Sequence, residues 1–159
     1  NLLTVVVKNA GYRDNFGVFE FGRVFFGEHE ADGTPKQNRH LGIALYDRSA
    51  RKLRQKEELL LRMKGAIQDA LAQTGFKDVS LEAAIDIQRP WIHPNGKAGI
   101  EYKGKQLGYY CLAHPFIIQK TGIRGSVALA ELDIDTLAGL EPEKMLYEKI
   151  SKFPPVEMD

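Results

Sequence analysis

Two histidines, His93 and His114, each followed by a proline, frame the stretch WIHPNGKAGIEYKGKQLGYYCLAHP. The same stretch holds the only tryptophan, Trp91, and the only cysteine, Cys111. The first chemistry to test is metal ligation. Zinc centres use three or four ligands held by a supporting outer layer of hydrogen bonds. The nearest acidic residues, Asp86 and Glu101, stand at no ligand spacing from the two histidines. A residue before proline is pushed to extended backbone, so His93 and His114 read as strand ends. A metal-dependent hydrolase resting on this pair is the least supported reading.

Other chemistry fares no better. Gly96, Gly99, Gly104 and Gly108 do not form the glycine-rich loop that leads into a helix and cradles phosphate. They read as turns and close backbone approaches in a hairpin. The basic run Arg48, Arg51, Lys52, Arg54 and Lys56 could follow an RNA backbone, but it leads into a glutamate-rich helix and reads as a solvated linker. Ser49, Ser80, Ser126 and Ser151 lie in no nucleophile elbow. Cys111 sits in an apolar strand, where a thiol is inert. Asp133 and Asp135 are paired carboxylates at a strand-to-helix junction, and capping by Asp135 explains one of them. Acid, base and nucleophile are nowhere assembled, so no residue is assigned to catalysis, to a cofactor or to a metal.

The elements that must position these residues follow from pattern. The 159 residues suit one domain, 43% hydrophobic and 27% charged, with a formal net charge of +1 that gives no drive toward general nucleic-acid binding. No apolar run reaches the length of a membrane span, no signal pattern opens the chain, and the lone cysteine fits a reducing, cytoplasmic setting. Leu2, Leu3, Val6, Val7 and Ala10 have near-helical spacing, while the β-branched run Val5–Val7 leaves a strand open. VFEFGRVFFG and HLGIALYD predict two antiparallel strands, with Glu28–Arg39 as a long exposed loop between them. Glu57–Thr74 is the clearest helix, with Leu60, Met63, Ile67, Ala70 and Leu71 on one face and Gly75 at its end.

VSLEAAIDI predicts a further strand, followed by a turn region at Pro90, Pro94 and Gly96. GIEYKG and QLGYYCLA form a hairpin about a Gly-Lys tip. HPFIIQKTG is a short helix, SVALAELDI a strand and DTLAGL a short helix. The mixture lacks βαβ regularity, which favours α+β with a largely antiparallel sheet flanked by helices.

FEFGRVF, MKGAIQDAL, HPNGKAGIEYKGKQLGYYCLAHP, ALAELDIDTL and ISKFPPV occur in one order between Phe19 and Val156. In that order they resemble the synthetase-like core module of the phenylalanyl-tRNA synthetase beta chain. The resemblance implies the class II aminoacyl-tRNA synthetase fold over residues 1–150, with residues 151–159 as an exit segment toward a C-terminal, anticodon-binding-type domain. It also implies a non-catalytic structural role in phenylalanine–tRNA ligase. The beta-chain core packs against the alpha subunit in a two-alpha, two-beta assembly, and alpha uses ATP and magnesium to charge tRNA with phenylalanine.

Degeneracy is visible at the signature positions. The first hairpin strand reads Glu20, Phe21, Gly22, Arg23, which does not place an arginine for the nucleotide phosphate. The third motif has Leu132, Asp133 and Asp135 and no arginine. Two further departures are Cys111-Leu112-Ala113 before His114-Pro115, where the family has glycine-glutamate-leucine, and Lys97 where the family has arginine. The competing expectation is a stand-alone module that binds RNA or a small adenylate-like ligand, with the Arg48–Lys56 run as its support.

Overall fold

The computed structural model describes residues 2–143. The exit segment expected at 151–159 lies outside the described residues. Helix α1 (Leu2–Asn9) is followed by strands β1 (Asn15–His29) and β2 (Pro35–Asp47), helix α2 (Leu53–Gln73) and strands β3 (Val79–Ala83), β4 (Ile92–Tyr102) and β5 (Lys105–Ala113). Helix α3 (Pro115–Thr121), strand β6 (Ser126–Asp133) and helix α4 (Ile134–Ala138) complete the order. The six strands form one sheet, β1-β2-β6-β5-β4-β3, in which every neighbouring pair is antiparallel. This is the α+β architecture that the sequence implies.

Strand β6 lies inside the sheet and shows how both faces are filled. Val127 and Leu129 point to one face, where they join Val6 of α1, Tyr46 and Cys111, with Ile118 of α3 packed alongside. Ala128, Ala130 and Leu132 point to the other face, against Leu59, Met63, Ile67 and Leu71 of α2. A strand buried on both sides loses the polar–apolar alternation of a half-exposed one. At the strand start, buried Ser126 donates its hydroxyl to the Ala50 carbonyl at 2.7 Å, so the polar group is not left unpaired.

Several expected boundaries move, each for a physical reason. At the N-terminus the helix wins over the strand, because helical spacing buries Val6 fully and Ala10 beside it. The long loop expected over Glu28–Arg39 is mostly strand. Its turn is confined to residues 30–34, closed by Glu30 N–H to Thr34 carbonyl at 2.8 Å and by Asp32, which accepts from Thr34. Polar residues read as loop there because this end of the hairpin is exposed on both faces. Helix α2 begins at Leu53, with Gln55 Oε1 accepting from the Arg51 and Lys52 N–H groups. Its buried stripe is Leu59, Met63, Ile67 and Leu71, so Leu60 is only half-buried and Ala70 is exposed.

Strand β3 stops at Ala83 rather than Ile87. Ile85 and Ile87 still pack on the α1 side, and Lys97 Nζ donates to the Ile87 carbonyl at 2.7 Å. The turn expected at Pro94 and Gly96 is part of β4, which is irregular in register between Ile92 and Lys97. The hairpin tip lies one residue earlier than the expected Gly-Lys pair, because Lys105 already pairs with Tyr102. Lys103 and Gly104 both have positive φ, 50° and 78°, as a two-residue turn matching strand twist requires. Gly108 comes so close to β6 that a Cβ there would run into the Glu131 carbonyl. Finally, the cap of α4 is Asp133, which accepts from the Thr136 N–H at 2.9 Å, and not Asp135. Asp135 instead holds Arg39, accepting from its backbone N–H at 2.7 Å and its Nε at 2.8 Å.

The α2 stripe sets a measurable contrast. Met63 is fully buried, while Leu61 on the outer face is 64% exposed. Chemical denaturation of Met63→Ala is expected to show a loss of about 2–5 kcal/mol, and Leu61→Ala less than about 0.5 kcal/mol. Comparable losses at the two positions would contradict the burial assignment.

Candidate functional site: a cavity over the sheet

Alternation along paired strands brings one row of residues to the α1-facing side. In β1, Phe16 and Val18 pack into that core, so Glu20, Gly22 and Val24 share their face. Register continues the row: Glu20 opposite Gly42, Gly42 opposite Glu131, and Glu131 opposite Tyr109. A second row runs Gly22, His40, Asp133. The glycines make space. A Cβ on Gly22 would meet nothing within 4 Å among the described residues, whereas one on Gly42 would meet Leu2 of α1 at 2.9 Å. The outcome is a cavity of about 500 Å³, walled by Leu2, Leu3, Val24, Trp91, Ile117 and Leu129 and floored by Glu20, His40, Tyr109 and Glu131. That volume is within the range of small-molecule sites.

The floor is a hydrogen-bonded cluster centred on Glu131. His40 Nδ1 lies 2.7 Å from Oε1, and the Tyr109 hydroxyl donates to Oε2 at 2.9 Å. Facing a carboxylate, the Nδ1 position of His40 is the donor. Its Nε2 is buried without a hydrogen-bond partner among the described residues, and the nearest carboxylate oxygen, on Asp133, is 3.9 Å away. Burial pushes the Tyr109 phenol well above its ordinary range, and the neighbouring Trp91 indole opposes this only in part. Tyr109 therefore acts as a neutral donor, not as a base.

Asp133 borders the cluster and is anchored from three directions. Asn38 Nδ2 donates to it at 2.7 Å, Thr136 Oγ1 at 2.8 Å and the Thr136 N–H at 2.9 Å. Burial works against its ionisation, but these bonds together with nearby His40 hold its carboxyl below the ordinary range. Arg23 also lines the cavity. By alternation its Cβ leaves the opposite face of β1, so it is not part of the floor. No serine, threonine, cysteine or lysine is among the described lining residues. The arrangement can hold a polar, positively charged group against carboxylates, with apolar walls around its remainder, and it offers no nucleophile.

Of the residues singled out in the sequence, Glu20, Gly22, Arg23 and Trp91 line this cavity and Asp133 borders its cluster, while the paired histidines, Cys111 and the basic run lie elsewhere. His93 and His114 line separate clefts, and each Nδ1 accepts a backbone N–H two residues on, from Asn95 at 3.2 Å and Phe116 at 3.1 Å. His114 thereby caps α3, with Pro115 in its first turn. Burial lowers the His93 pKa, and nearby His114 and Lys56 lower it further. Among the described residues no group of three or more His, Cys, Asp or Glu side chains is placed to hold a metal ion. The Cys111 thiol is pushed up to about 12 by burial, which suits packing rather than reactivity.

In the basic run, Arg48 pairs with Asp14 at 2.8 Å and Arg54 with Glu58 at 3.1 Å, both at the surface. His40, Tyr109 and Glu131 escaped sequence reasoning because His40 and Glu131 are 91 residues apart and meet only through β2–β6 register. A histidine at a strand start and a lone glutamate in an apolar strand were the available signals.

The fold and this sheet face define a class of protein. A pyrrolysyl-tRNA synthetase from Desulfitobacterium hafniense matches with a TM-score of 0.63 over 87% of this chain and 46% of its own, at 15% identity, which establishes the class II synthetase fold. The particular family follows from sequence: residues 1–134 match the phenylalanyl tRNA synthetase beta chain CLM domain, and the chain belongs to that family. Phenylalanine–tRNA ligase beta subunits of Aquifex aeolicus, Bacillus subtilis and Syntrophus aciditrophicus are 29%, 28% and 24% identical over 99%, 100% and 100% of the chain. The chain spans about a fifth of the length of these curated relatives. Among the described residues, no helix is long and apolar enough to cross a membrane.

The depressed Asp133 carboxyl gives a pH prediction with a definite sign. Because the folded state binds this proton less readily than the unfolded chain, its stabilisation is present above the ordinary value near 3.8 and is lost as pH falls below it. Asparagine also caps helices, so Asp133→Asn keeps that role while removing the titration. Urea unfolding between about pH 5 and pH 2 is expected to show a shallower acid loss in Asp133→Asn than in the parent. An unchanged slope would remove Asp133 from the account.

Proposed function

We propose that the chain is a non-catalytic structural core of a phenylalanine–tRNA ligase beta subunit, seated against the catalytic alpha subunit. The observation that carries this reading is the outward face of β1. Phe19, Phe21 and Phe25 are 77%, 56% and 61% exposed, on a long strand at the edge of the sheet. Register places Phe19 opposite Ile43 and Phe21 opposite Leu41, so the aromatic stripe continues into apolar neighbours on the α2 side. An exposed apolar edge of this kind marks a surface that a partner covers.

The cavity supports the non-catalytic half of the proposal. Phosphoryl chemistry on ATP needs cations where negative charge gathers. The floor instead presents Glu20 and Glu131, with Asp133 beside them. These residues do not fit a nucleotide triphosphate, and no step of ATP chemistry is assigned to this chain. In this reading ATP, magnesium, phenylalanine and tRNA are handled by the whole cytoplasmic enzyme, a two-alpha, two-beta assembly completed by the remainder of the beta chain.

Two measurements test it. Without an alpha subunit the chain is expected to catalyse no ATP–pyrophosphate exchange, and exchange above background would overturn the non-catalytic role. Replacing both Phe19 and Phe21 with aspartate is expected to weaken assembly with the cognate alpha subunit at least about tenfold, as loss of central aromatic contacts does. Unchanged assembly, or a salt-sensitive RNA gel shift that Arg51→Ala and Lys52→Ala abolish, would favour an RNA-binding module instead.

A further inference from the structure

We propose that the cavity over the sheet is a binding site for small organic cations, specifically a primary ammonium group carried on an apolar or aromatic body. Charge comes first. The floor carries Glu131 in the same row as Glu20, while Arg23 springs from the opposite face of β1. A carboxylate has about four lone-pair positions, and the bonds from His40 and Tyr109 use two of them. Those two bonds fix the carboxylate's orientation and leave acceptor capacity for a further donor.

Shape and surface come next. Above the floor the walls are Leu2, Leu3, Val24, Ile117 and Leu129, with Trp91 offering an aromatic ring. A ring of this kind favours cations and flat apolar bodies alike. The space is made by the bare backbone of Gly22, where a Cβ would meet nothing within 4 Å among the described residues. The lining also discriminates. An anion would face carboxylates, and a neutral alcohol would forgo the charge-assisted bond to Glu131. A zwitterion would bring a carboxylate of its own to an acidic floor, so the site prefers a simple amine to an amino acid. This inference is independent of the proposed contact with an alpha subunit.

Isothermal titration of the 159-residue chain with phenethylammonium chloride tests it, with 2-phenylethanol and phenylacetate as neutral and anionic counterparts. Saturable binding of the amine is expected, with the alcohol and the acid at least about tenfold weaker. Glu131→Gln should weaken the amine by a similar factor, since it removes the charge and retains an acceptor. Because that change could disturb the cluster, Gly22→Leu is the second variant. It fills the cavity from a position with room for the side chain and is expected to abolish binding while the unfolding midpoint stays near the parent's. Absence of saturable amine binding, equal binding of the alcohol, or parental affinity in a folded Gly22→Leu protein would each overturn the proposal. None of these outcomes bears on pyrophosphate exchange or subunit assembly.

Discussion

The register of β6 between β2 and β5 is the constraint on which the rest of the structure depends. Strand side chains alternate with a period of two, so a slip of one residue would exchange the two faces of β6. In the observed register Val127 and Leu129 meet α1 and its core, and Ala128, Ala130 and Leu132 meet α2. Glu131 then falls on the only sort of site that tolerates it, a cavity where His40 and Tyr109 bond its carboxylate. Slipping it into the α2-side core would bury an unpaired charge among Leu59, Met63 and Ile67, a cost of several kcal/mol. Gly108 fixes the same register from the other side, because only a residue without Cβ allows β5 to approach the Glu131 carbonyl so closely.

That registration links packing to electrostatics. The small residues Ala128 and Ala130 let α2 lie close to the sheet, and the large ones, Met63 and Ile67, fill the space they leave. On the opposite face the glycines of β1 and β2 are not matched by large residues everywhere. Leu2 fills the space above Gly42, and none of the described residues fills that above Gly22. The cavity is therefore a consequence of composition along two strands combined with a short α1.

The edges of the sheet are treated differently. β3 is short and is followed by a segment held through Lys97 and packed by Ile85 and Ile87. β1 runs for 15 residues with phenylalanines turned outward. Short edges resist association and long apolar ones invite it, so the asymmetry gives the module one side suited to partnership.

Much of the architecture was legible along the chain. Periodicity gave α2 and left α1 open between helix and strand, the glycine–lysine pair gave the hairpin tip to within one residue, and the ordered motifs gave the family and the class II fold. The residues these readings used carry local information: apolar spacing over one or two turns, turn conformation and proline geometry. What local pattern could not give was the exposed continuation of the β1–β2 hairpin, the switch of the α4 cap from Asp135 to Asp133, and the Glu131 cluster. Asp133 and Asp135 are both acceptable caps by sequence. The choice is made by Arg39 and Asn38, which reach them from β2 some 96 and 95 residues away. His93 and His114 looked chemical because they are rare and paired with prolines, yet each serves only its own local backbone. The sequence by itself thus determined the elements and the lineage, since both rest on short-range order. Only the tertiary structure decided which polar residues share a site, because strand pairing alone brings together groups so far apart in the chain.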